Sequence, residues 1–205
     1  VPKLLTDNVD PYKVSKDWLH RFAESAEKCG EEDLQKIWSN IMAQEVNYPW
    51  SISFRTLEQV KLFNKSDAIL VEKLAPYIIS AGSFSFIVQT QDKLWSDINL
   101  SYIEWTKLQD IWIIQTSGSS YTLSSSNNAM LVGNCSSLYS ISNTDKNEKK
   151  ITIFLLTDFW QELLKTLKCK QEDSIYLQIV HSYFKWLNLK FHAAPLVKEY
   201  INWTK

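Results

Sequence analysis

Glycine is scarce in this sequence: the 205-residue chain contains 4. There is no G-x-G-x-x-G, no P-loop and no G-x-S-x-G elbow, so the common phosphate-cradling and nucleophile-presenting turns are excluded. The cysteines are Cys29, Cys135 and Cys169, far apart, odd in number and without a C-x-x-C pair. Neither a disulfide framework nor a zinc ribbon is expected from them; reduced thiols in a cytoplasmic protein are. Histidine is limited to His20, His181 and His192, none in H-E-x-x-H or any close ligand pair. No metal site, catalytic residue or cofactor site is therefore assigned. Charge of one sign is missing too. Lys plus Arg is 22 against 23 for Asp plus Glu, a formal net charge of −1, which gives no global pull on nucleic acid or anionic membrane. No run approaches the roughly 18 apolar residues needed to cross a bilayer. With Val1 in place of Met and no leader pattern after it, the expectation is a processed or excised fragment.

Aromatic residues are plentiful, 9 each of Trp, Tyr and Phe. They read either as heavy core packing or as an aromatic-lined interface. Residues 1–10 read as a linker. Asp10-Pro11 suits a helix start, and Val14, Trp18, Phe22 and Ala26 form an i+4 stripe closed by Gly30 at C′. A second helix opens on Glu31, Glu32 and Asp33, where the macrodipole favours acids. It runs through Leu34, Ile37, Trp38, Ile41 and Glu45 and stops near Val46, because Asn47-Tyr48-Pro49 is turn chemistry. Ser53 caps a third helix and Ser66 a fourth.

After Gly82 the pattern changes. Phe84–Gln89 reads as a strand. Ser101-x-x-Glu104 is a capping box opening a helix to Trp112. Tyr121–Leu123 is strand-like within a Ser/Asn-rich loop. Ala129–Ile141 and Lys150–Leu156 read as a hairpin joined by the polar segment 143–149. Thr157 caps a helix, another runs from Ile175 to Leu187, and a last one follows Pro195. The expected fold is α+β, mainly α. A helical array over 1–82 is followed by a winged-helix-like unit over 83–170 and by C-terminal helices over 171–205.

Chemistry is sparse. Cys29 precedes a helix start, but Glu31, Glu32 and Asp33 oppose a lowered thiol pKa. The pairs Glu24/Glu27 and Glu31/Glu32 read as solvated helix faces. The most unusual stretch is Glu45–Thr56, E-V-N-Y-P-W-S-I-S-F-R-T. One reading is an Arg55–Glu45 bridge locking the corner, with Trp50 as a plug. The other makes Glu45, Tyr48, Trp50 and Arg55 a binding site for an anionic planar ligand or a partner protein. Nucleic-acid contact would fall to Lys107, Lys146, Lys149 and Lys150. Lys107 faces Glu104 and Asp110 on its own helix, however, and the other three lie beside Asp145 and Glu148, which weakens phosphate contact.

Two stretches carry a family resemblance. The first is D-W-L-H-R-F-A-E-S-A-E with E-E-D-L-Q-K-I-W-S-N-I-M-A-Q-E-V-N-Y-P, running on to S-F-R-T-L-E and S-D-A. The second is I-T-I-F-L-L-T-D-F-W-Q-E-L. Together, over Asp17–Leu164, they resemble the bacterial family known as domain of unknown function 2806, and more distantly the Abi-alpha abortive-infection proteins. Trp38, Glu45, Arg55 and Thr157 match motif positions, where the resemblance implies structural roles. Two positions depart from the family, which tends to have Gly in place of Trp50 and an L-T-x-x-G-x-E-L pattern in place of Trp160. The resemblance implies a bacterial cytoplasmic protein acting in anti-phage defence. The expected function is a non-enzymatic sensor or interaction module with a protein partner or as a homo-oligomer. The alternatives are a winged-helix nucleic-acid-binding regulator and a metal-dependent nuclease or nucleotide hydrolase.

Overall fold

A computed structural model describes residues 14–90, 98–124, 130–134, 137–167 and 174–193. The chain divides into two compact units, one of residues 1–72 with 159–167, the other of 73–158 with 168–205. This differs from a division at 82 and 170. Gly82 lies inside the second unit, where it turns a hairpin.

The first unit is helical. It contains α1 (Lys16–Ala26), α2 (Glu32–Asn47), α3 (Phe54–Lys61), most of α4 (Lys65–Leu74) and most of α6 (Asp158–Leu164). The i+4 stripe of α1 turns inward at Trp18, which stacks on Phe22 at 5.2 Å, and Phe22 meets Trp38 of α2 edge-on at 5.5 Å. Phe63 and Phe159 form a second edge-on pair at 5.8 Å. Ile41, Leu57, Val71, Trp160 and Leu163 are fully enclosed. Each such side chain adds roughly 1.5–3 kcal/mol of burial.

The helix ends follow capping chemistry with three changes from expectation. Ser53 caps α3 by accepting the Thr56 N–H. Asn64, not Ser66, caps α4: its Oδ1 accepts the Asp67 N–H at 3.2 Å while Asp67 Oδ2 accepts the Asn64 N–H at 2.9 Å. Gly30 is not left-handed, because α1 already ends at Ala26 with helical Glu27 as its C-cap. Thr157 donates its hydroxyl to the Trp112 carbonyl at 2.5 Å, which turns it away from capping α6. The helix start at Asp10-Pro11 and the helix after Pro195 lie outside the described residues.

The second unit carries an antiparallel sheet of β1 (Ile79–Ala81), β2 (Phe84–Val88), β3 (Ser119–Leu123), β4 (Met130–Asn134), β5 (Ser137–Asn143), β6 (Lys149–Leu155) and β7 (Leu189–Ala193). The strand order is β3-β6-β2-β1-β4-β5-β7. Two helices accompany it, α5 (Tyr102–Asp110) and α7 (Ser174–Trp186). Gly82, at φ +58°, opens the two-residue turn that pairs Ala81 with Phe84. Only glycine adopts that first turn position without strain. The capping box of α5 is complete, with Ser101 and Glu104 bonding each other's backbone N–H. The core gathers Ile87, Val88, Leu108, Ile113, Tyr176, Val180 and Phe184. The Tyr176 hydroxyl accepts the Val88 N–H at 3.1 Å, tying α7 to the sheet.

The hairpin expected across 143–149 is not formed. β5 pairs with β4 and β7, whereas β6 pairs with β2 and β3. Alternating burial of Ile151 and Ile153 gives β6 one inward face. Alternation chooses the buried face and leaves the neighbouring strand open. The run Ala129–Ile141 also breaks into β4 and β5, which form their own hairpin. The two strands expected to make a wing therefore sit apart in one sheet. The chain after α7 enters β7, a strand that the sequence reading did not include.

Candidate functional site

The corner between α2 and α3 brings together most of the residues singled out in the sequence. Glu45, on the last turn of α2, is 1% exposed. Its Oε1 accepts the Trp50 N–H at 2.6 Å and its Oε2 accepts the Ile52 N–H at 2.9 Å. The Ser51 hydroxyl reaches Oε2 at 3.5 Å. The rest of the loop backbone is equally accounted for. The Ser51 N–H goes to the Tyr48 carbonyl at 3.1 Å, and the Ser53 N–H to Glu162 Oε2 at 2.7 Å. Glu162 also takes the Thr56 hydroxyl at 2.5 Å. The buried indole of Trp18 donates to the Ile52 carbonyl at 2.9 Å. Every N–H from Trp50 to Ser53 thus has a partner, the condition for a loop to hold one shape without water.

This arrangement corrects the expected bridge. Among the described residues Arg55 forms no salt bridge with Glu45 or any other acid, and its side chain is exposed. Backbone N–H groups of the same loop already surround the carboxylate, and a buried carboxylate held by several charge-assisted hydrogen bonds needs no counter-ion. The plug is corrected as well. Trp50 is 75% exposed and its φ is +71°. A bulky residue there costs about 1–2 kcal/mol that glycine does not incur, so Trp50 is held in this backbone under strain. Tyr48, beside it, is 40% exposed.

Two neighbours were not singled out by sequence reasoning. The Arg21 guanidinium lies over the Phe54 ring, 4.6 Å from its centroid. Glu162 joins the corner from far along the chain; its signal was the Glu of the L-T-x-x-G-x-E-L pattern. The corner presents two aromatic rings, Tyr48 and Trp50, on a fixed backbone. Its two carboxylates are occupied by that backbone.

The other candidates are dispersed. Lys149 pairs with Asp145 at 2.7 Å, while Lys146 and Lys150 are exposed beside it. Lys107 is half-buried on α5. His20 sits 3.6 Å from Glu24, and His181 lies against the Phe191 ring. Among the described residues no group of three or more His, Cys, Asp or Glu is placed to hold a metal ion, and no helix is long and apolar enough to cross a membrane. Cys29 is a half-buried free thiol, and Cys135 and Cys169 lie outside the described residues.

No curated protein and no solved structure matches the chain. The family described as Protein of unknown function (DUF2806) matches residues 3–181, a span that holds the whole Glu45–Glu162 corner, and the chain belongs to that family.

Proposed function

We propose that this protein is a non-enzymatic interaction module of the bacterial cytoplasm, that it acts in anti-phage defence, and that the α2–α3 corner is where it engages a protein partner. The observation that carries the reading is Trp50. A tryptophan in glycine's backbone conformation gives up stability, yet its ring lies in solvent, where it returns no packing to its own chain. Tryptophan on a rigid support is the residue type that most often dominates binding energy at interfaces. A loop fixed in advance loses little entropy on binding. The defence context rests only on the distant resemblance to Abi-alpha proteins read in the sequence.

The test is plating efficiency of a phage panel on cells carrying the intact gene, a Trp50→Ala variant or an empty vector. The reading expects protection by the intact gene and its loss in the variant, with both proteins folded and equally abundant. Equal protection by the two would remove the corner from the proposal. No protection by either across a broad panel would remove defence. A winged-helix nucleic-acid function is the weaker proposal, because Lys149 is already neutralised by Asp145 and phosphate affinity grows with the number of free cations.

A further inference from the structure

A groove of about 720 Å³ lies along α1 and α2, lined by Phe22, Ala26, Glu27, Trp38, Met42 and Val46 among others. Its walls are mostly apolar, with Gln35 and Ser39 among them, and Phe22, Ala26, Met42 and Val46 are only half-buried. Glu27 at one end is followed by Glu31 and Glu32. All three are exposed, with Lys28 the one cation between them, and none forms an ion pair among the described residues. The groove is therefore largely apolar and is acidic at the end where α1 gives way to α2.

Helix α7 has the complementary character. Its inner face buries Tyr176, Val180 and Phe184, while Ile175 and Trp186 on the outer side are 68% and 67% exposed. Between them Gln178, Ser182 and Lys185 are also exposed, and α7 has no acidic residue. Ile175 and Trp186 are as many residues apart as Gln35 and Val46, the limits of the groove on α2. Both spans are about 16 Å at an α-helical rise of about 1.5 Å per residue. An outer face with an exposed apolar side chain at each end and a cation beside one of them thus matches, in length and charge, a largely apolar groove with its acids at one end.

We infer that the α1–α2 groove is the docking site for α7 of a second copy of this chain, with Lys185 of one copy set against Glu27 of the other. The docked helix runs antiparallel to α2, since its Lys185 end meets the Glu27 end of the groove. That polarity also brings opposite helix-dipole ends together. The mode is a helix laid into an apolar groove. Each copy carries both surfaces, so the same contact is open to either copy of a pair. The inference uses neither Trp50 nor the corner loop and stands apart from the partner proposed for them.

Sedimentation equilibrium across a concentration series tests it. The expected result is a mass rising from the 23.9 kDa of one chain to twice that value. Glu27→Lys and Lys185→Glu are both changes at exposed positions and should leave the fold intact, which circular dichroism checks. Each alone should weaken association by about tenfold or more, and the two together should restore it, because the pair is then re-formed with reversed signs. A single-chain mass at every concentration would overturn the inference. So would a dimer that both single reversals leave unchanged, or one that the double reversal fails to rescue. A plating defect in Trp50→Ala with dimerisation unaltered separates the two proposals.

Discussion

Glu45 holds Trp50 by its backbone rather than by its side chain: the carboxylate Oε1 lies 2.6 Å from the Trp50 amide nitrogen, and the indole stands 75% exposed. The same carboxylate takes the Ile52 N–H. One buried acid thereby sets the direction in which the loop sends its aromatic ring. Glu162 repeats the device on the next two partners, the Ser53 N–H and the Thr56 hydroxyl. The corner is a short loop gripped by two carboxylates from distant parts of the sequence, and its shape does not depend on what binds to it.

Glu45→Gln is expected to destabilise the protein by about 2–4 kcal/mol in urea unfolding. The amide keeps one acceptor but turns an NH2 group toward a backbone N–H, leaving a buried donor unsatisfied. Arg55→Ala should change stability by no more than about 0.5 kcal/mol, as for an exposed side chain without a partner. A large effect of Arg55→Ala together with a small one of Glu45→Gln would restore the side-chain bridge and discard the backbone account.

At Trp50 the informative comparison is between two replacements. Trp50→Ala removes the ring and keeps a Cβ in the left-handed region. Trp50→Gly removes both. The glycine variant should be the more stable of the two by about 1 kcal/mol, in thermal or urea unfolding, because only it relieves the backbone strain. If Trp50 is a binding anchor, both variants lose the partner equally, and Trp50→Gly becomes a protein more stable than Trp50→Ala and no more active. Alanine equal to glycine in stability would mean that the loop is unstrained.

The helical half was largely legible in the sequence because its signals are local. Trp18, Phe22 and Ala26 repeat at the helical period, Asn47-Tyr48-Pro49 ends α2 as turn chemistry requires, and Ser53 and the Ser101–Glu104 box cap α3 and α5. The sheet was not, because strand partners are chosen at long range. β6 reads as a strand from Ile151 and Ile153, but nothing in 149–155 says that it lies between β2 and β3 rather than beside β5. At the corner, sequence reasoning picked the right residues and paired them wrongly. Opposite charges at Glu45 and Arg55 suggested a bridge, whereas backbone N–H groups, which no sequence displays, took the carboxylate first.

Trp160, in contrast to Trp50, carries a buried ring. It is 0% exposed, and its indole N–H finds no hydrogen-bond partner among the described residues. Trp160→Phe removes that unsatisfied donor, which offsets much of the lost volume, so the variant should lie within about 1.5 kcal/mol of the parent. Trp160→Gly should lose about 3–5 kcal/mol, since the core is packed around the ring. Urea midpoints decide it. A phenylalanine variant as unstable as the glycine one would show that the indole N–H is satisfied after all.

The acid limb of the stability curve should report Glu104. Lys73 Nζ lies 2.7 Å from its Oε1, and the Ser101 N–H and hydroxyl are bound at 2.7 and 2.9 Å to its Oε2. The Lys73 contact first, and then the Ser101 backbone, lower its pKa from 4.5 to about 2. A carboxyl that binds its proton more weakly when folded stabilises the fold wherever it is ionised in both states. Its contribution is therefore full above pH 4.5 and disappears as the pH falls toward 2. The side chain is 34% exposed, so screening limits the effect to no more than about 1 kcal/mol. Glu104→Gln should lower stability at pH 7 and converge on the parent near pH 2. Lys73→Met should raise the titration midpoint of Glu104, read by carboxyl-carbon NMR, from the parent's lowered position toward the ordinary value. A midpoint near 4.5 in the parent would mean that Lys73 and Ser101 do not hold the carboxylate in solution.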